Sequence, residues 1–423
     1  MSILTRKIFS ILVSGLVVVC LGAQLPAIAE KTDKAIYAEP PAPRLPPAGG
    51  TLIDPTFGTE IMRITDETNA EDGGTYYSYW PTFNCDNTKL LVRTGKDGSA
   101  QIFGFDPTTF TLGNHAPIPV GLGAEGAIWS AKDPDTLYGF IGMALYAYHP
   151  STKKSSLVAD LKSRFKEEIP WQPSMSADDD VFAFSRRRMN NSGGSDYVGY
   201  AVYRRSDKSV VLDQSIILGD LDEVQIDKSG RWLVVKGETK TTKGFSIRDL
   251  QNGGQRKQLG AGPPDYALGH SDNSASFVAG FNNYLNTIDR RNFVDPTQII
   301  SALKLGNDWS QGDHISLLAN DDSWMLVSFF PVNPSQTPAG IFHSEIILVK
   351  TDGSQSVRRL LHHHSIYKDY WDSPRANISR DGRFLAFTSN WGGRARRDMF
   401  VARIAPAPES PSKARPRRVG TPN

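Results

Sequence analysis

Hydrophobic and polar positions in this chain alternate in short runs. Apolar stretches of strand length recur at Lys89-Leu90-Leu91-Val92-Arg93, Thr136-Leu137-Tyr138-Gly139-Phe140, Val181-Phe182-Ala183-Phe184, Arg231-Trp232-Leu233-Val234-Val235, Phe277-Val278, Trp324-Met325-Leu326-Val327 and Phe384-Leu385-Ala386-Phe387. Each follows a polar turn, sharpest at Ser379-Arg380-Asp381-Gly382 and degenerate at Asn84-Cys85-Asp86-Asn87, Asp133-Pro134-Asp135, Ser176 to Asp179, Asp227 to Gly230, Ser271-Asp272-Asn273 and Asn320-Asp321-Asp322. In such a turn the Asp bonds its own backbone and the Gly accepts φ > 0. Strand, turn and strand form a unit that cannot bury its own faces, so the copies must stack or close into a ring. Residues 51 to 404 hold seven, at about 51 residues each against the roughly 40–50 of a propeller blade. Insertions around 186 to 197 and 331 to 342 absorb the excess. The pattern predicts an all-β, seven-bladed β-propeller of four-stranded blades. Leu52 to Pro55 or Glu60 to Ile64 is expected to add a strand to the last blade and close the ring. Two separate β-domains are the alternative.

Both ends differ from this core. Arg6 and Lys7 precede an apolar run from Ile8 to Leu21, and Ala27-Ile28-Ala29 reads as a cleavage site, so residues 1 to 29 are expected to be a signal peptide. The run is short for a membrane span, and Val19 before Cys20 argues against a lipoprotein. A periplasmic or secreted monomer with no membrane span after cleavage follows. Residues 30 to 50 read as a Pro-rich linker and residues 405 to 423 as a basic, Pro-rich disordered tail.

At 423 residues, 39% hydrophobic and 22% charged, the composition is that of an ordinary globular protein. Removing the signal leaves 45 basic against 45 acidic side chains, which excludes nucleic acid as the expected partner. Only Cys85 remains, so no intramolecular disulfide closes the fold. Its place in a turn suits a structural thiol.

The Ser379 to Asn390 stretch resembles the repeat of TolB-type propellers, and the likeness extends over most of 51 to 404. A narrower similarity joins Asp54-Pro55-Thr56-Phe57-Gly58-Thr59-Glu60-Ile61-Met62-Arg63-Ile64-Thr65 to Tyr76-Tyr77-Ser78-Tyr79-Trp80-Pro81-Thr82-Phe83. This arrangement resembles oligogalacturonate-lyase-like propellers. The resemblance implies a metal held by channel histidines and cleavage of acidic sugars by β-elimination. Where that family places histidines, before the first and last inner strands, this chain has Gly73-Gly74 and Ser373-Pro374-Arg375-Ala376.

Inner strands line a propeller channel, so side chains at their entrances converge from distant parts of the chain. His270 and His314 stand there, and they are the candidate catalytic pair if the chain is a lyase. With His362 and His364 of the His362-His363-His364 run they are also the candidate ligands of a divalent metal such as manganese or calcium. For the run itself a solvated basic loop is the first reading, and metal binding is the alternative. Aromatic residues gather at the same entrances: Tyr76, Tyr77, Tyr79, Trp80, Trp171, Trp309, Tyr367, Tyr370 and Trp371. Aromatic faces stack on sugar rings, and Arg375 suits a carboxylate or sulfate. Arg375, Trp371, Tyr370, Trp80, Tyr79 and Trp171 are therefore the expected binding residues. No Gly-x-Ser-x-Gly, His-Glu-x-x-His or phosphate loop occurs. The leading expectation is an exported module, without cofactor, that binds an anionic saccharide or a protein partner at the channel mouth; a metal-assisted polysaccharide lyase is the alternative.

Overall fold

The computed structural model describes residues 29–95, 98–123, 126–217, 221–237, 245–259, 268–332 and 340–406. The expected signal peptide, apart from Ala29, and the tail beyond residue 406 lie outside the described residues. Seven antiparallel sheets follow one another in chain order, and they form the blades of a propeller. In blades II to VII the innermost strands are Ile128–Trp129, Glu168–Met175, Glu223–Ile226, Ser271–Asn273, Gln311–Ser316 and Asn377–Ile378.

Blade I differs at its inner edge. Its regular strands are Lys89–Arg93, Ala100–Asp106 and Thr111–Pro117, and only two bridges, Gly74 with Arg93 and Phe83 with Leu90, stand where an inner strand would run. Between those bridges Thr75 to Pro81 leaves the sheet and turns into the channel.

The last blade closes the ring. Its strands Asn377–Ile378, Phe384–Ser389 and Asp398–Arg403 are joined by the N-terminal strand Glu60–Arg63, with Ile61 opposite Ala402 and Met62 opposite Val401. Thr51–Ile53 adds a fifth strand at the outer edge. Both segments expected to supply the closing strand lie in this sheet, and Glu60–Arg63 makes the closing pair.

The turns that gave the repeat its signature share one rim. In blade VII, Gly382 adopts φ 73°, its N–H donates to Ser379 O at 3.0 Å, and Ser379 Oγ accepts from Phe384 N–H at 3.0 Å. Blade IV places Gly230 (φ 72°) at the same point, and blades I and III place Asn87 (φ 62°) and Asp179 (φ 61°). Asn and Asp are the non-glycine residues that tolerate this conformation, which is why the degenerate copies still turn. Asn87 Nδ2 donates to Asp381 Oδ2 at 2.7 Å, tying blade I to blade VII along that rim.

Between blades the apolar strand faces meet. Met62, Phe83, Leu90, Phe103, Phe384 and Met399 form one such layer between blades VII and I. Each large side chain so buried contributes on the order of 1.5–3 kcal/mol. Residues 30 to 50 carry no strand of their own, yet they lie against the propeller: Trp391 Nε1 donates to Pro43 O at 2.7 Å, and Arg63 Nη1 donates to Pro46 O at 2.9 Å. No helix among the described residues is long and apolar enough to cross a membrane.

Candidate functional site

The inner strands start on the rim opposite the turns, and the residues that start them surround one channel mouth. The blade I excursion fills it. Tyr79 is buried, and its hydroxyl donates to Glu223 Oε2 of blade IV at 2.6 Å. Trp80 Nε1 donates to Pro173 O of blade III at 2.7 Å. Tyr77 stands 5.1 Å, ring to ring, from His314 of blade VI and accepts a hydrogen bond from Tyr370 Oη of blade VII at 2.8 Å. One irregular segment of blade I thus touches blades III, IV, VI and VII.

Tyr79 and Trp80 hold the mouth together through their polar atoms; the Tyr79 ring is buried, and Trp80 is partly buried. Tyr370 and Trp371 remain exposed, and Trp171 is half-buried.

His270 and His314 do come together. Their rings stack at 4.3 Å with an interplanar angle of 15°. His270 Nδ1 lies 2.5 Å from the Asp313 carbonyl, which fixes the proton on Nδ1 and leaves the lone pair on Nε2. His314 is fully buried, and neither of its nitrogens has a hydrogen-bond partner. Burial holds both imidazoles below the ordinary histidine range, His314 well below it, where the neighbouring His270 adds to the lowering. At neutral pH the pair is uncharged. Burial also pushes the Asp313 carboxyl up to about 8.

The histidine run lies elsewhere. His362 ends the outer strand of blade VI, Val357–His362, and the run is buried throughout, which overturns the expectation of a solvated basic loop. His362 stands 3.9 Å from Glu345 Oε1 and 4.0 Å from Asp54 Oδ2, and His364 Nδ1 lies 3.0 Å from Glu39 Oε1. His363 Nε2 donates to Phe329 O at 2.8 Å while its Nδ1 accepts from Ser365 N–H at 2.9 Å, so both nitrogens are occupied. The expected four-histidine set does not converge. Among the described residues no group of three or more His, Cys, Asp or Glu is arranged to hold a metal. His270 and His314 by themselves offer at most two nitrogen donors, and no third His, Cys, Asp or Glu among the described residues joins them to complete a divalent metal site.

Arg375 occupies the entrance to the last inner strand. Its guanidinium is buried, donates from Nη1 to Tyr370 O at 3.2 Å and to Ser373 Oγ at 3.4 Å, and lies 5.1 Å from the Trp371 ring. Among the described residues no carboxylate pairs with it. Burial lowers its pKa to about 10. Arg93 also lies over Trp371, at 4.6 Å, and both arginines border a small cleft with Asp72, Arg397 and Gly73-Gly74. Arg397 is different, because Asp72, Asp369 and Asp372 all pair with it within 3.0 Å. The glycine pair is dictated by packing: a Cβ on Gly73 would meet Thr65 Oγ1 at 2.0 Å, and one on Gly74 would meet Thr388 Oγ1 at 2.8 Å. No histidine fits at either position.

Solved structures share this ring of blades. An oligogalacturonate lyase in complex with manganese superposes with a TM-score of 0.61 at 13% identity, over 86% of this chain and 98% of that one. A second, from Vibrio parahaemolyticus, gives 0.62 at 12% identity, over 86% and 99%. The chain has the seven-bladed fold of oligogalacturonate lyases. No family model matches the sequence, and no curated protein matches it. At this identity the likeness is one of architecture, and the activity of those enzymes is a separate question.

Sequence reasoning missed Glu223 and Lys236. They form a buried ion pair beside Tyr79, and Lys236 Nζ also donates to Gly269 O at 3.3 Å. Glu223 sits one residue ahead of the apolar pattern of blade IV, where alternation alone does not mark it as facing the channel.

Proposed function

We propose that this chain is a binding propeller that receives an anionic saccharide at the channel mouth, and that it works outside the cytoplasm after removal of its N-terminal segment. The observation that supports this reading is the buried guanidinium of Arg375, stacked by Trp371 and without a carboxylate. A buried unpaired charge costs several kcal/mol, and an incoming carboxylate or sulfate would relieve that cost. Trp371 and Tyr370, exposed beside it, offer apolar faces to the ring that carries the acid. Calorimetric titration with a panel of acidic oligosaccharides tests the idea. Binding by the wild type and its loss in Arg375→Met are expected; equal affinity in both proteins removes Arg375 from the site.

A second reading is favoured by the neutral His270, whose ring lies 6.3 Å from that of Tyr77 and 6.5 Å from that of Tyr370. A neutral imidazole can take the proton α to a uronate carboxylate, and a tyrosine can protonate the leaving oxygen. β-Elimination creates an unsaturated product that absorbs in the ultraviolet. Absorbance growth abolished in His270→Gln would make the chain a lyase; a flat trace with retained binding leaves the binding propeller.

A further inference from the structure

Blade III departs from its neighbours on the mouth side. Ile226 N–H of blade IV donates to Ser174 Oγ at 2.8 Å, which sets the levels of the two inner strands. Glu168–Met175 therefore continues beyond the point where Glu223–Ile226 begins. Strands Val181–Met189 and Ser195–Arg204 stay paired out to Met189 and Ser195. At about 3.3 Å per residue, this hairpin rises on the order of 10 Å above the start of the blade IV strand.

The hairpin packs against blade IV. Tyr197 lies on the apolar layer between blades III and IV that holds Leu221 and Val224, and burial pushes its hydroxyl up to about 12.

Three arginines follow one another here. Arg186 pairs with Glu168 at 2.7 Å and Arg188 with the same carboxylate at 3.0 Å. Arg187 has no carboxylate among the described residues. Its guanidinium lies 4.2 Å from the Trp171 ring and 4.9 Å from the Tyr197 ring, and Nη2 donates to Ser195 O at 2.6 Å. Its Nε is buried with no hydrogen-bond partner. The surroundings repeat those of Arg375, with a tryptophan face, a backbone carbonyl and no counter-charge. Blades III and VII lie on opposite sides of the ring.

We infer that the blade III hairpin is a second anion anchor, so that the mouth takes a chain carrying two separated anionic groups rather than a single acidic sugar. This rests on the anionic-saccharide reading of Arg375. A planar guanidinium held between aromatic rings is already oriented, so little rotamer freedom is lost when it meets a carboxylate or sulfate. Two anchors joined by one ligand act at high effective concentration, which makes affinity depend on length.

The test is calorimetry on the full chain with di- and hexasaccharides of galacturonate and, separately, of a heparin-derived sulfated series. The two series distinguish carboxylate from sulfate. In the series that binds, the hexasaccharide is expected to bind at least tenfold more tightly than the disaccharide. Arg187→Met should abolish that gain and leave the disaccharide unchanged, while Arg375→Met should weaken both lengths. Arg187→Lys, which keeps the charge, should recover part of the gain, and recovery of none counts against an anchor carried by charge. An unchanged hexasaccharide affinity in Arg187→Met, with both lengths weakened in Arg375→Met, overturns the second anchor alone. No binding of either series by the wild type, or no effect of Arg375→Met, overturns both readings.

Discussion

Arg359 and Arg375 sit on successive blades, and each is 2% exposed. Arg359 meets Glu345 through Nε, at 2.7 Å, and through Nη2, donates from Nη1 to Ala35 O at 2.5 Å and lies 4.4 Å from the Tyr37 ring. Arg375 meets a carbonyl, a hydroxyl and a tryptophan ring. The histidines repeat the contrast: both nitrogens of His363 are bonded, and neither nitrogen of His314 is. Burial alone therefore does not separate groups that the fold pairs from groups that it leaves unpaired. What separates them is whether the fold itself supplies the partner. At the edge of blade VI it does, and charge fastens the N-terminal segment to the ring; at the mouth it does not, and the Arg375 charge is left without a counter-charge among the described residues.

The sharpest way to break this comparison is Arg359→Met. It strands Glu345 in a buried site beside Asp54 and His362, and it should cost about 3–5 kcal/mol in urea denaturation. A loss below about 1 kcal/mol would show the pair to be no more structural than Arg375.

Acid should act on the same edge. Burial lowers His362 and His363 from 6.5 to about 4. The unfolded chain takes up these protons near 6.5 and the folded chain only near 4, so their contribution is full above 6.5 and is lost as pH falls between the two values. Each accounts for up to about 3 kcal/mol. Urea midpoints followed from neutral pH downward should fall through this window, and fall less in the double variant His362→Gln, His363→Gln.

Arg375→Met should move the other quantity. Loss of a charge-assisted hydrogen bond weakens acidic-oligosaccharide binding by about 2 kcal/mol, roughly thirtyfold. The melting temperature should hold or rise, because a buried unpaired charge is removed. Unfolding of this variant would place Arg375 with Arg359 and end the contrast. The smallest effect belongs to Trp371→Leu, which should weaken the same binding by about 0.5–1 kcal/mol in calorimetry without altering stability.

The ring was legible because its signals are local. An apolar run of strand length recurs in each blade, a turn residue at φ > 0 precedes it in blades I, III, IV and VII, and the closing strand was narrowed to two segments that both lie in the closing sheet. The mouth was legible only in part. His270 and His314 were marked by their place at inner-strand entrances, and they stack. The His362 to His364 run was drawn into the same set because alternation says which face a side chain takes but not which layer of the blade it occupies; it ends an outer strand. Tyr79 and Trp80 were read as stacking faces because their hydrogen bonds run to Glu223 and Pro173, on blades distant in sequence. Arg187 carried no signal of its own beside Arg186 and Arg188.

The strand Glu60–Arg63 has a consequence for how the molecule assembles. It is made well before its partner Asp398–Arg403, so its pairing edge waits through synthesis of the blades between them. The pairing that completes the ring closes a very long loop, and loop closure of that kind is entropically costly and slow. Folding should end in a single late closure step, during which an open edge and the apolar faces of two blades are exposed together. Truncation at either end would stop the chain there, leaving six formed blades and no ring.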